Sequence, residues 1–230
     1  ERMGRSVAGR VIAFEGIDGS GKGEQVNEVA ARLRAMDKKI RIQDFPVYSG
    51  VYGKEIGKML SGEYAVRADE VDPRSMSLWY ALDRQEALKN IDREAYDYIL
   101  FNRSTLSNVA YQSFRVKPEE RDEFTKWLFE LEYDRLGVWK PDLYFIFDVT
   151  EEQSRKNVEK KGQREYLTHT HDVYEESRTI MSHARNVYLR QAELHDNIHI
   201  VPCMDAEGNF RSIEKITAYV MEKIPGCLDG

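Results

Sequence analysis

Cysteine is scarce in this chain. There are two in 230 residues, Cys203 and Cys227. No metal-ligand spacing links them and no disulfide framework follows, which fits a reducing, cytoplasmic setting. Long apolar runs are also missing. Nothing approaches the roughly 18 residues that a membrane span needs. Glu1–Arg10 is charged and has no apolar centre, so it is not a signal peptide. It is expected to be a disordered extension ahead of a single domain over residues 11–230. Positive charge is not in surplus: 34 Lys and Arg stand against 40 Asp and Glu, for a net charge of −6. Binders of nucleic acid or of acidic membranes are usually basic, so both partners are disfavoured. A bound anion would have to be met by a local cluster of donors. The five histidines form no site by spacing. His169 and His171 are two apart with no third ligand nearby, so no metal site built from protein side chains is expected. Repeats, linkers and low-complexity segments are absent.

What is present is an α/β pattern. Five short β-branched or aromatic runs predict strands at Val11–Glu15, Ile40–Phe45, Tyr98–Phe101, Leu143–Val149 and Ile198–Val201. Several lack polar alternation, as strands covered on both faces do. Helical stretches lie between them. Val26, Val29, Ala30 and Leu33 share one helical face after the first strand. Asp72–Ile91 has Pro73 suited to a first turn. Glu119–Leu136 carries Phe124, Leu128, Leu131 and Tyr133, and Asp172–Leu194 and Ser212–Ile224 follow. Alternating strands and helices imply a parallel sheet covered by helices. The cationic cluster Lys156–Arg164 reads either as a mobile loop or as a solvated helix end.

The segment Gly16-Ile17-Asp18-Gly19-Ser20-Gly21-Lys22-Gly23-Glu24 follows the first strand and opens the first helix. That is the frame of a phosphate-binding loop, G-x-x-x-x-G-K. Its glycines let backbone N–H groups turn toward phosphate oxygens, and the helix N-terminus adds partial positive charge. Lys22 suits the β- and γ-phosphates of ATP, where charge shifts during transfer. The Ser or Thr that usually follows this lysine and ligates Mg²⁺ is Gly23 here. The local text is similar to adenylate kinases, which imply a metal held largely through water.

Phe14-Glu15-Gly16-Ile17-Asp18-Gly19-Ser20-Gly21-Lys22, then Phe45-Pro46, then Trp79-Tyr80-Ala81-Leu82-Asp83-Arg84, then Asn102-Arg103-Ser104 with Ser107-Asn108-Val109-Ala110-Tyr111-Gln112, stand in one order. In that order they resemble the thymidylate kinase family over about half of the chain. The resemblance implies a three-layer P-loop fold with a five-stranded parallel sheet and a small lid near residues 152–175. It implies transfer of the γ-phosphate of ATP to a deoxynucleoside monophosphate, with dTMP the expected acceptor. Asp18 then matches the carboxylate at the deoxyribose 3′-OH, and Phe45 and Tyr80 the aromatic surfaces for the base. Arg84 matches the arginine at a base carbonyl, and Arg103 the one holding the monophosphate. Ser107 and Gln112 match polar groups at the base edge, and Tyr174 the lid tyrosine beside the sugar. Independently, a flat base needs a flat partner with a donor at its edge, and a phosphate dianion suits a planar guanidinium. Read alone, Arg84 also suits a surface ion pair with Asp83 or Glu86.

The resemblance has departures. The family's Asp before the arginine is Asn102, so two positions that favour Mg²⁺, this one and Gly23, are altered. The metal is therefore expected to be held mainly by the ATP phosphates and water. The loop has Gly19 where some members carry an arginine, so a lid cation must take that part. Arg155, Lys156, Lys160, Lys161 and Arg164 are the candidates, with Arg164 favoured. Val47-Tyr48 stands where an acceptor-binding arginine often lies. A homodimer is expected by family analogy. A deoxynucleoside kinase, or a nucleotide-binding protein with weakened catalysis, remains as an alternative.

Overall fold

The computed structural model describes residues 9–162 and 171–225, the side chains of 160–162 and 171–177 excepted. Five parallel strands form one sheet: β1 (Arg10–Glu15), β2 (Ile40–Asp44), β3 (Tyr98–Asn102), β4 (Leu143–Asp148) and β5 (Ile198–Pro202). Their order across the sheet is β2-β3-β1-β4-β5. Each begins or ends within one residue of its sequence-based bounds. The reason is visible in β1, where Val11 through Phe14 are all buried, as the lack of polar alternation requires.

The register places Phe14 of β1 and Asp44 of β2 both opposite Asn102 of β3. The carboxyl ends of three adjacent strands therefore lie level. β1 runs one residue further, to Glu15, and Gly16, Phe45 and Arg103 directly follow the three strands on one edge of the sheet. In open α/β sheets this edge, where the strand order reverses about the first strand, is where ligands bind.

Helices α1 (Lys22–Ala35), α2 (Val51–Ser61), α3 (Pro73–Leu88), α4 (Thr105–Gln112), α5 (Arg121–Phe129), α6 (Glu151–Gly162), α7 (His171–Leu194) and α8 (Ile213–Lys223) surround the sheet. The expected face of α1 is the buried one, through Val26, Val29, Ala30 and Leu33. Asp72 caps α3 by accepting from the N–H groups of Arg74 and Ser75, and Pro73 occupies its first position. Cys203 is buried and unpaired; Cys227 lies outside the described residues. Among those residues, no helix is long and apolar enough to cross a membrane.

Two elements differ from expectation, and a third decides between two readings. Helix α2 went unseen because Gly53 and Gly57 dilute its helical signal. Packing decides instead, as Ile56 and Met59 meet Met76 of α3. The stretch Lys156–Gly162, read as a mobile loop or a solvated helix end, is the second half of α6, which decides for the helix. Glu152 with Lys156 and Arg155 with Glu159 are spaced four apart and pair along its surface. The helix expected over Glu119–Leu136 is not uniform. After α5 it widens into a π-helical turn over Glu130–Arg135, a form common at functional sites.

Candidate active site

The phosphate-binding loop occupies the turn from β1 to α1. Ile17 is buried, so its side chain belongs to the core and its backbone serves the loop. Lys22 opens α1 and Gly23 and Glu24 follow in its first turn. The Lys22 Nζ lies 3.4 Å from the carbonyl of Ile17 and 3.9 Å from Asp18 Oδ1. Ser20 Oγ is buried with no hydrogen-bond partner among the described residues. A concave loop with an inward hydroxyl of this kind suits an anion that completes its bonding.

Gly19 shows why no arginine stands in this loop. Its φ is +75°, and a Cβ there would lie 2.5 Å from the carbonyl oxygen of Ser154. Helix α6 is docked on that spot. Ser154 Oγ donates to the carbonyl of Asp18, and Asn157 Nδ2 donates to that of Gly19 at 2.8 Å.

Beside the loop lies a cavity of about 480 Å³. Seven of the eight expected acceptor residues line it: Asp18, Phe45, Tyr80, Arg84, Arg103, Ser107 and Gln112. They come from four segments far apart in sequence. The eighth, Tyr174, and the favoured lid cation, Arg164, fall outside the described side chains. So do Lys160 and Lys161, while Arg155 and Lys156 face solvent in the pairs named above.

Arg103 joins the loop to the cavity. It directly follows β3 and adopts φ +72°, a region costly for a side chain. Its N–H donates to the carbonyl of Phe14, Nη2 to Asp18 at 2.6 Å and Nη1 to Ser107 Oγ at 3.1 Å. Strain held in place this firmly marks a position under geometric demand. Desolvation opposes charge on Asp18, but Arg103 and Lys22 outweigh it and hold that carboxyl below its ordinary value. Tyr80 and Tyr111 are pushed up to about 12, mainly by burial, and stay protonated.

Ser107 plays a part that sequence reasoning did not assign. Its hydroxyl donates to Glu15 at 2.5 Å while accepting from Arg103, so it links Glu15 to the guanidinium. Glu15 is fully buried and also accepts from Ser104 at 2.6 Å and Tyr188 at 3.0 Å. The carbonyl of Gln112 is likewise occupied, by Arg115 Nη2 at 2.9 Å, which leaves its NH₂ toward other partners.

Arg84 makes no surface pair with Asp83 or Glu86. Asp83 is turned the other way and accepts from the N–H of Val47. Arg84 is 2% exposed and forks onto Glu132, with Nε to Oε2 at 2.7 Å and Nη2 to Oε1 at 2.5 Å. Burial opposes the guanidinium charge, and Glu132 more than restores it. Removing one partner of such a buried pair costs about 3–5 kcal/mol. Asn108, which sequence reasoning missed, stands beside this pair. Its NH₂ donates to Glu132 Oε1 and to the carbonyl of Ser77, both at 3.0 Å. Its carbonyl oxygen is buried with no partner among the described residues, and the residue lines the cavity. The signal for it was an Asn one residue after Ser107, on the helix already singled out.

Phosphoryl exchange between two nucleotides needs two phosphate chains held end to end. Here an anion cradle and a flat-walled cavity meet at Arg103, and that junction belongs to a P-loop nucleotide kinase. A family model described as Thymidylate kinase matches residues 14–213, and the chain belongs to that family. It is 29% identical over 185 residues to a thymidylate kinase of Mycobacterium tuberculosis (strain ATCC 25618 / H37Rv), covering 79% of this chain and 85% of that protein. It is 29% identical to one of Tropheryma whipplei (strain Twist) over 215 residues, 92% and 95% of the two chains. A probable thymidylate kinase of Methanocaldococcus jannaschii is 31% identical over 167 residues, 71% and 78%.

Proposed function

We propose that this chain transfers the γ-phosphoryl group of ATP to the 5′-phosphate of dTMP, giving dTDP. The observation that carries the reading is the pair on the cavity wall. Arg84, with its guanidinium, and Asn108, with an unpartnered amide oxygen, line a space that Phe45 and Tyr80 also line. A thymine offers the complementary acceptor and donor side by side, at O4 and N3–H, between two flat faces.

Little covalent chemistry is asked of the protein. Alignment and charge neutralisation suffice for in-line transfer. Arg103 holds the acceptor phosphate at the loop's edge, and Lys22 meets the migrating charge from the other side. Asp18 keeps Arg103 charged and aimed and accepts from the sugar 3′-OH. Glu15, through Ser107, fixes the second arm of Arg103. Arg164 is the favoured lid cation and Tyr174 the sugar-side aromatic.

A divalent ion carried by ATP fits the residues present. Asn102 Oδ1 is buried without a partner, and its Nδ2 lies 3.7 Å from where a Cβ on Gly23 would sit. The Asp44 carboxylate is next to it, 2.9 Å from Nδ2. Among the described residues no group of three His, Cys, Asp or Glu side chains is placed to hold a metal directly. Asn102 and Asp44 would therefore hold Mg²⁺ through its waters. When bound, the ion supplies neutralisation of the β- and γ-phosphates. A cytoplasmic setting and a homodimer go with this reading.

The test is an ATP-coupled assay of dTMP, dUMP, UMP, dCMP, dAMP, dGMP and thymidine. Turnover is expected to be greatest with dTMP, and dUMP is expected to exceed UMP. Turnover of thymidine without dTMP, or of no acceptor at all, defeats the proposal.

A further inference from the structure

We propose that Glu132, which does not line the cavity, decides which base this enzyme accepts. It does so by fixing the hydrogen-bonding sign of both polar groups on the base-facing wall. The proposal rests on the acceptor being a pyrimidine nucleotide, as read above.

Glu132 sits on the π-helical turn, fully buried. Its two oxygens accept four hydrogen bonds. Two come from the Arg84 fork, one from Thr105 Oγ1 at 2.8 Å and one from Asn108 Nδ2 at 3.0 Å. That is about the full capacity of a carboxylate. Each bond has a consequence at the cavity.

For Asn108 the consequence is orientation. An amide can be turned either way, and its neighbours choose. The neighbours of its NH₂ are the Glu132 carboxylate and the carbonyl of Ser77. Both are acceptors without a proton. Turning the amide over would set its oxygen against two oxygens and leave two acceptors unmet. The carbonyl must therefore point away from Glu132 and Ser77; it is buried and without a partner, on a residue that lines the cavity. For Arg84 the fork fixes the plane of the guanidinium and consumes Nε and Nη2, leaving Nη1. These two cavity-lining residues thus offer one donor and one acceptor, unable to exchange roles.

A 4-oxo pyrimidine presents an acceptor at O4 next to a donor at N3. A 4-amino pyrimidine presents a donor at N4 next to an acceptor at N3. The wall complements the first pattern and opposes the second at both atoms. Buried polar groups left facing a like partner are the strongest source of discrimination between similar ligands. Arg84 and Asn108 touch the base, and Glu132 is the positioning residue that gives both their sign.

The test compares kcat/KM for dTMP, dUMP and dCMP in the parent and two variants. Glu132→Gln replaces one acceptor oxygen by NH₂, so a donor faces Arg84 together with either Asn108 or Thr105. Glu132→Asp keeps the counter-charge for Arg84, which guards against failure to fold, but withdraws it from Asn108. In both, the dTMP/dCMP ratio is expected to fall at least tenfold, chiefly through the acceptor KM. The dTMP/dUMP ratio and the KM for ATP are expected to stay within twofold, because neither the methyl group nor the phosphate loop depends on Glu132. A folded variant with an unchanged dTMP/dCMP ratio overturns the proposal. So does a loss shared equally by all three acceptors, which is what a purely structural role gives. A parent that uses dCMP as well as dTMP overturns it without any variant. A parent inactive on both dTMP and dUMP refutes instead the proposed function on which it rests.

Discussion

Replacing Gly19 by alanine measures how firmly α6 is docked on the phosphate-binding loop. Gly19 has φ +75°, and holding alanine in that left-handed region costs about 1–2 kcal/mol. The new Cβ would also lie 2.5 Å from the carbonyl oxygen of Ser154 and 3.1 Å from Val158 Cγ2. The first of these atoms is backbone within α6 and cannot rotate away. Moving α6 off the loop loses the Ser154 bond to Asp18 and the Asn157 bond to Gly19, each contributing about 1 kcal/mol. The sum is about 3–4 kcal/mol. In a chain of this size each kcal/mol lowers Tm by about 2–4 °C, so the fall should be about 6–16 °C. Gly62→Ala is the control. It has φ +76° with nothing within 4 Å of its Cβ position, so it reports the backbone cost alone. Thermal melts of both variants, followed by circular dichroism, decide the matter. If Gly19→Ala melts together with Gly62→Ala, α6 does not press on the loop. The account of why no arginine stands at Gly19 then fails with it.

Lys22→Ala should lower kcat by about 10²–10³, because it removes the cation that meets the charge shifting between the phosphates. An unchanged rate at saturating ATP and dTMP removes Lys22 from the chemistry. Asp44→Asn should raise the Mg²⁺ concentration needed for half-maximal rate at fixed ATP, and Asn102→Asp should lower it. Unmoved titrations in both mean that this corner does not face the metal. Burial, helped by Arg121, holds the His183 pKa below its ordinary 6.5. The unfolded chain then binds more protons, so this part of the stability is complete above pH 6.5 and is lost as pH falls through it. His183→Gln should accordingly lose less Tm than the parent between pH 7.5 and 5.5. Equal losses would show that His183 does not titrate across folding.

The strands were legible because a doubly covered sheet leaves an unbroken apolar run, and β1 and β4 each have one. The phosphate loop was legible because its glycines and lysine lie within one short segment. Helix α2 was not, since its glycines deny it local propensity and its stability comes from contact with Met76 on another helix. Arg84 was visible as a residue, but its partner was not. Glu132 lies 48 positions away, on a π-helical turn that no periodicity announces. Asn108 and Tyr111 were in plain view within a quoted motif. Asn108 gains its meaning from an orphaned oxygen, and that is a property of packing alone.

The pairing of two buried carboxylates explains why α4 can serve as the ruler of the site. Glu15 takes the hydroxyls of Ser104 and Ser107, three residues apart. Glu132 takes Thr105 and Asn108, again three apart and shifted by one position. Residues three apart lie on one helical face, so the first turn of α4 is gripped on two neighbouring faces at once. One grip comes from the end of β1, the other from the π-helical turn. A buried carboxylate without partners would be strongly disfavoured, but each of these is saturated by short hydrogen bonds. A helix held this way can neither slide nor rotate. Arg103 precedes the gripped turn and Asn108 ends it, five residues later. The sequence Ser-Thr-Leu-Ser-Asn thus sets the distance between the phosphate end and the base end of the cavity. Loosening the Glu15 grip should therefore spoil the fit of a whole nucleotide more than that of phosphate or base alone.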